Sequence, residues 1–317
     1  MSQPQVVVLG DACVDMVIRL PERISQGTSD LSHSAPQLHG GGSGGNVAVA
    51  LARLGADVAM VGAVGDDGYG RWVCDDLRHE GVNVDGLISI ADAFTPMVMA
   101  VVEPNGERLI YVWPPEGGAH LQLKSDAIDL ALITSVFWMH TTGMCLRESP
   151  ARETILTAMA LAREAGGTVS LDLNLRTESW GLDTADRDTF EKAIALSDVV
   201  LGNAQEEILP LTCADSVEAA SRILCDGKRI IVARRGSEGA WVTTPKEAFN
   251  VSVFPTQVVD TLGAGDAFNG GFIAACLANV GTREAARWGN AVAALKIGRS
   301  GARGLPSLEE LKLALRG

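Results

Sequence analysis

The sequence predicts an α/β fold: a doubly wound, mostly parallel sheet with a small antiparallel excursion beside it. Three observations predict it. Short apolar runs alternate with segments of helical period, glycines close several of those units, and two stretches break the alternation.

Val6 to Gly10 reads as a buried strand ending at a glycine, and a segment rich in polar and turn residues follows from Pro21 to Gly42. Asn46 to Leu54 reads as a helix with Val47, Ala50, Leu51 and Leu54 on one face and Gly55 as its stop. Val58 to Gly62 is the next strand. Val136 to His140 is strand-like, Ala151 to Ala165 helical and Thr168 to Leu173 strand-like, and Val199 to Leu201 and Arg229 to Ala233 are further short apolar strands. The two interruptions are segments 14–37 and 95–113. The second contains Met97 to Val102, a turn at Pro104 to Glu107, and Arg108 to Trp113, which is the pattern of a hairpin. With no repeat, low-complexity tract or long linker, residues 1–317 read as one domain with a minor lid.

Composition narrows the function classes. The chain has 317 residues, is 47% hydrophobic and carries a formal net charge of −13. That charge argues against non-specific binding to nucleic acid or an anionic membrane. The six cysteines are scattered, with neither a CxxC pair nor metal-ligand spacing. They read as reduced thiols, and with no signal-like start and no run of membrane-spanning length, a cytoplasmic protein is expected.

The stretch Val258 to Phe268 carries the sharpest chemical signal. Gly263, Ala264 and Gly265 stand directly before Asp266, and Phe268, Phe272, Ala275 and Cys276 follow at helical spacing, with Gly281 as a stop. Small residues let backbone N–H groups approach an anion at a helix N-terminus, where the dipole favours negative charge. A carboxylate beside such a site suits phosphoryl transfer to a hydroxyl. A glycine turn that only caps a helix would leave the same trace.

A second glycine cluster runs from Gly40 to Gly45 and ends at Asn46. It contains a literal G-x-G-x-x-G, but Pro36 to His39 is a poor strand, and the dinucleotide fingerprint should follow a strand directly. A Walker motif is missing too, because Gly227-Lys228 is followed by Arg229. A backbone-exposing loop leading into a helix remains, with Asn46 able to cap that helix or bond a ligand.

The run Gly41 to Ala48, with Gly55, Gly62 and Gly65 to Gly70, resembles the N-terminal signature of the ribokinase-like (PfkB) carbohydrate kinases, and Asp260 to Asp266 resembles their C-terminal signature. Asn203-Ala204-Gln205-Glu206 is similar to the family's N-x-x-E motif, and Arg235 to Trp241 to its nucleotide loop. The resemblance spans nearly the whole chain. It implies a ribokinase-like three-layer doubly wound sheet with a small antiparallel β lid, and ATP and Mg²⁺ as cofactors.

Residue by residue, the resemblance implies that Asp266 takes the proton of the acceptor hydroxyl and that the amides of Gly263, Ala264 and Gly265 bind the transferring phosphoryl group. Asn203 and Glu206 would organise Mg²⁺ through water, although the same pair also resembles a capping box. Gly236 and Gly239 would lie against the nucleotide. Asp15, Gly41, Gly42 and Asn46 would form the sugar pocket, and Cys13 stands where ribokinase itself has a polar residue. Asp260 and the carbonyl of Leu262 match a loop that binds a monovalent cation, usually K⁺, in many relatives, with a partner loop near Gly298 to Gly301.

Leu171 to Arg176 with Trp180 resembles fructokinase-like and 2-keto-3-deoxygluconate kinase-like members, and Gly106-Glu107-Arg108 with Tyr111 and Trp113 resembles their lid hairpin. Arg108, Tyr111 and Arg176 are therefore the specificity candidates. Ion pairing of Arg176 and lid packing of Tyr111 and Trp113 would explain the same residues. The expected reaction is ATP-dependent phosphorylation of a primary hydroxyl of a small sugar or sugar acid. A nucleoside kinase, adenosine- or pseudouridine-like, is the alternative, and a non-catalytic sugar-binding relative is the third reading. A homodimer through the lid is expected, with Val98, Val101 and Ile110 as its surface.

Overall fold

Strand residues of the main sheet bury on both of its faces, as a parallel sheet covered by helices requires. Val6 and Val8 join a core with the helices Ser43–Arg53, Ala264–Leu277 and Thr282–Ile297. Val7 and Leu9, one residue out of phase, join the opposite core with the helices Ala151–Glu164, Thr184–Ala195 and Val217–Cys225. The computed structural model describes residues 4–20, 35–104 and 107–316.

In chain order the strands are β1 (Val6–Leu9), β2 (Cys13–Arg19), β3 (Gln37–Gly41), β4 (Val58–Gly65), β5 (Asn83–Ile90), β6 (Met97–Val102) and β7 (Arg108–Trp113). They continue with β8 (Trp138–Thr142), β9 (Thr168–Asp172), β10 (Val199–Asn203), β11 (Ile230–Arg234), β12 (Ala240–Thr243) and β13 (Ala248–Val251). Among the described residues the main sheet has nine strands in the order β13-β12-β11-β10-β9-β8-β1-β4-β5. Its strands from β11 to β5 are parallel, and β12 and β13 close one edge antiparallel. The chain leaves β1 for β4 on one side and returns to β8 on the other, so strand order reverses at β1. Ligands of such sheets bind at the carboxyl ends of the strands beside such a reversal.

The two interrupting stretches meet as a second sheet in the order β3-β2-β6-β7. Its outer pairs are antiparallel, and its central pair, β2 with β6, is parallel. Hairpin reasoning finds the β6–β7 pair but cannot reveal the join between strands some eighty residues apart in the chain. Residues 21–34 of the turn-rich segment Pro21 to Gly42, and the hairpin tip at 105–106, lie outside the described residues. Gln37–Gly41 is a strand after all, contrary to its sequence pattern, because β2 supplies its hydrogen-bond ladder. It lies antiparallel in the small sheet, so the glycine cluster still lacks the parallel strand of a dinucleotide fingerprint.

No helix among the described residues is long and apolar enough to cross a membrane. The six cysteines are unpaired.

Candidate active site

Asp11, directly beyond β1, organises the first glycine loop. Its Oδ2 accepts the Ser43 N–H at 2.8 Å, and its Oδ1 accepts the Gly44 N–H at 3.2 Å and the Thr142 hydroxyl at 3.0 Å. A carboxylate placed on the first amides of the helix Ser43–Arg53 satisfies orphan donors and complements the dipole. The helix therefore begins at Ser43 rather than Asn46, and Asp11, not Asn46, caps it. Gly42 must be glycine: its φ is 83°, and a Cβ there would lie 2.7 Å from the Ala12 Cα.

Freed from capping, Asn46 reaches across to the second glycine motif, where its Nδ2 donates to Asp266 Oδ2 at 2.8 Å. Packing of two helices sets this contact. Asn46 and Ala50 are one turn apart on one helix, and Asp266 and Gly270 are one turn apart on the other. A Cβ on Gly270 would come within 2.4 Å of the Ala50 Cβ, so the missing side chain is what allows the helices to approach. Asn46 Oδ1 accepts the Arg303 Nε–H at 2.8 Å, which fixes the amide with its donor toward Asp266.

Asp266 lies in the first turn of the helix Ala264–Leu277, whose N-cap is Gly263 at φ 74°. Burial pushes its carboxyl up to about 7; the Asn46 hydrogen bond and Arg234 oppose that rise, and the charges of Asp172 and Asp11 add to it. A base poised near neutrality is suited to proton transfer at physiological pH.

Beneath this turn lies a buried ionic network. Arg234, at the end of β11, binds Asp172, at the end of β9, through Nη2 at 2.8 Å and Nη1 at 3.1 Å. Asn269 donates to Asp172 at 2.6 Å and accepts from Arg234 at 2.6 Å. Burial works against the charge on Asp172, but the Arg234 guanidinium outweighs it and holds this carboxyl below its usual range. Glu207 lies 3.7 Å from Arg234, and burial with the Asp172 charge pushes its carboxyl up to about 7. Arg234 also reaches the Gly265 carbonyl at 3.4 Å, linking the network to the turn before Asp266.

Asn203 ends β10 opposite Arg234 at the end of β11, and Glu206 lies just beyond it. The Asn203 Oδ1 accepts the N–H groups of Gln205 at 2.9 Å and Glu206 at 3.0 Å, the capping half of the expected motif. The reciprocal half goes to a different glutamate. Glu207 Oε2 takes the Asn203 N–H at 2.6 Å, which leaves the Glu206 carboxylate exposed at the strand ends. Gly236 and Gly239 frame the turn after β11 at φ 56° and 87°, and a Cβ on Gly239 would meet the Val251 carbonyl oxygen at 2.0 Å.

Asp15 lies on β2 against β3, so close that a Cβ on Gly41 would fall 2.4 Å from its Oδ1. Burial raises the Asp15 carboxyl, while Cys13, Arg303 and His39 moderate the rise. Gly41 thus lies against Asp15, Asn46 bonds Asp266, and Arg303 bonds Asn46 while its charge acts on Asp15. The specificity candidates lie further out. Arg176 is exposed beyond β9 at φ 50°, Arg108 and Tyr111 are exposed on β7, and Trp113 meets Phe94 edge-on at 6.1 Å. Trp180 lies over the Arg147 guanidinium at 5.0 Å.

At the proposed cation loop, the Asp260 carboxylate accepts the N–H groups of Leu262 at 3.0 Å and Gly301 at 2.8 Å, joining the two segments expected to be partners. The Asp260 carbonyl is already engaged, by Lys296 Nζ at 2.7 Å.

Asp11, Arg234, Asn269, Arg303 and Lys296 escaped sequence reasoning. Two of them left a readable trace: Asp11 directly follows a strand-ending glycine, and Lys296 is a lone charge in the apolar run Ala291 to Ile297.

Residues 3–309 match the model of the pfkB family carbohydrate kinases. A 5-dehydro-2-deoxygluconokinase of Photobacterium profundum is 30% identical over 315 residues, covering 96% of this chain and 92% of its own length. A fructokinase structure with bound ATP from Xylella fastidiosa is 27% identical, with a TM-score of 0.85 over 99% of both chains. A double-mutant fructokinase from Vibrio cholerae O395, in a form with fructose, ADP and potassium ion bound, is 30% identical, with a TM-score of 0.80 over 99% of this chain and 100% of its own. Fold, glycine loops and this near-complete match agree: the chain belongs to the pfkB family of carbohydrate kinases.

Proposed function

We propose that this chain transfers the γ-phosphoryl group of ATP to a primary hydroxyl of a small sugar or sugar acid, with Asp266 as the base. The observation that carries the reading is Asp266 itself, buried, tuned to about 7 and held by Asn46 at the glycine-led start of a helix. Asp266 takes the acceptor proton as the hydroxyl oxygen attacks the γ-phosphorus and the bond to the bridging oxygen of ADP breaks. The amides of Gly263, Ala264 and Gly265 stabilise the charge that develops, the largest contribution expected in phosphoryl transfer. Asn203 and the exposed Glu206 suit magnesium, which keeps several waters and needs few protein ligands. When bound, that ion would neutralise phosphate charge, and Gly236 and Gly239 would let backbone lie against the nucleotide.

Asp15, Gly41, Gly42 and Asn46 form the acceptor pocket in this reading, and residues 1–317 act as one kinase domain. The small sheet of β2, β3, β6 and β7 is its lid and excludes water, a competing acceptor. Burial works against the charge on Asp260, but the hydrogen bonds from the Leu262 and Gly301 N–H groups, with smaller help from the charges of Lys296 and Arg108, hold its carboxyl low. Arg108, Tyr111 and Arg176 set specificity, with two arginines suited to a carboxylate. The unpaired cysteines support a reducing, cytoplasmic setting.

An ATP-coupled screen of neutral sugars, sugar acids and nucleosides tests the proposal. Turnover confined to sugars or sugar acids is expected, and a preference for nucleosides would overturn the substrate class. Inactivity on every pool would favour a binding-only relative.

The exposed apolar strand β7, with Tyr111 at 61% and Trp113 at 54% exposure, supports a homodimer through the lid. Sedimentation equilibrium should return twice the chain mass, and a single-chain mass at assay concentration contradicts the dimer.

A further inference from the structure

Lys296 is the least expected charge in the molecule. It lies in the last turn of the helix Thr282–Ile297 and is 0% exposed, inside a run otherwise built from alanine, valine, leucine and isoleucine. Lysine is almost never fully buried without a partner, because desolvating an ammonium is costly. Its Nζ donates to the Asp260 carbonyl at 2.7 Å. Burial lowers its pKa from the ordinary lysine value, and the negative charges of Asp260 and Asp266 oppose that fall.

The surroundings give that contact a purpose. The N–H groups of Val259 and Asp260 both donate to the Ile297 carbonyl, at 2.8 and 3.1 Å. The Asp260 carboxylate holds the N–H groups of Leu262 and Gly301. The loop before Gly263 is thereby clamped to the end of the helix that carries Lys296, and that loop leads straight to the anion-binding amides and Asp266. This is also the loop expected to hold potassium. An ammonium group and a potassium ion are similar in charge and in size to a carbonyl oxygen. The oxygens expected to hold the ion are the Asp260 carboxylate, which already accepts the Leu262 and Gly301 N–H groups, and the Leu262 carbonyl; with Nζ on the neighbouring Asp260 carbonyl, a potassium ion there would meet a like charge. The residues present therefore do not suit a separate monovalent ion.

We propose that Lys296 is a built-in cation, a positioning residue that takes the place of the monovalent ion at the Asp260 loop, so that turnover needs no added potassium. The proposal rests on the kinase reading.

Two measurements test it, both by ATP-coupled turnover at constant ionic strength. In the wild-type enzyme, exchanging choline chloride for potassium or ammonium chloride should change kcat by less than about twofold. A clear potassium requirement in the wild type would overturn the proposal, whatever any variant does. Lys296→Met, which keeps the stem and removes the charge, should lose about tenfold or more of kcat in choline buffer, as misplaced catalytic groups do. Potassium or ammonium should restore much of that loss. A folded Lys296→Met enzyme that no cation restores would leave Lys296 a merely structural residue, and an unaffected variant would remove it from the site. Absence of wild-type turnover with every acceptor would count against the kinase reading, whereas potassium-dependent turnover would count against Lys296 alone.

Discussion

Asp266→Asn is expected to lower kcat by about 100- to 10,000-fold, the range supplied by a positioned general base, while sugar affinity stays largely intact. The asparagine keeps the size of the side chain and its place beside Asn46, but it cannot accept the acceptor proton. Steady-state turnover and equilibrium sugar binding, measured side by side, check this, and near-normal kcat would remove Asp266 as the base. The same variant should be more stable than the wild type. In the unfolded chain an aspartate ionises at its ordinary value, near 4, whereas burial holds native Asp266 up to about 7. Over that window the unfolded state binds fewer protons, so wild-type stability falls as pH rises. The difference corresponds to about 4 kcal/mol, an upper bound that Asp266→Asn should partly recover. A variant with a lower Tm than the wild type at pH above about 7 would contradict the burial cost. Such an exchange of stability against activity is expected at a functional site.

Arg234→Ala is expected to carry the largest stability loss, about 3–5 kcal/mol, because it strands the buried Asp172 carboxylate without its cation. Asn269 would remain as a hydrogen-bond donor to Asp172, but a neutral amide cannot replace the guanidinium. The urea unfolding midpoint should fall accordingly, and an unchanged midpoint would contradict the network. The double variant Arg234→Met with Asp172→Leu should recover part of the loss, since it removes the stranded charge as well as its partner. Arg234 also touches the Gly265 carbonyl and lowers the Asp266 carboxyl, so its loss should raise the pKa of Asp266, the proposed base.

Much of the main sheet was legible because its signals are local. Val6 to Leu9 and Val199 to Leu201 are continuous apolar runs, and a strand buried on both faces has that pattern. Gln37–Gly41 was illegible because nothing in Gln-Leu-His-Gly-Gly favours a strand; only pairing with β2 makes it one. The candidate site divides the same way. Its backbone features, the turns at Gly42 and Gly263, could be read from glycine content. Its side-chain pairings could not, because they link positions far apart in the chain: Asn46 with Asp266, Asp172 with Arg234, and Asp260 with Lys296. The choice between Glu206 and Glu207 is the finest case. Spacing alone favours Glu206 as the capping partner, but the turn after β10 delivers Glu207 to the Asn203 N–H instead.

The most direct test of Asp266 as a base tuned by burial is the pH dependence of kcat/KM for the sugar that the screen identifies. The base acts as a carboxylate, so activity should be lost as pH falls through the value set by burial. The profile should bend near 7 and fall about tenfold per pH unit below it. In Asp266→Asn the residual activity should lack that bend. A wild-type profile flat from about pH 5 to 8, or bending only near the ordinary carboxylate value of about 4, would contradict the account.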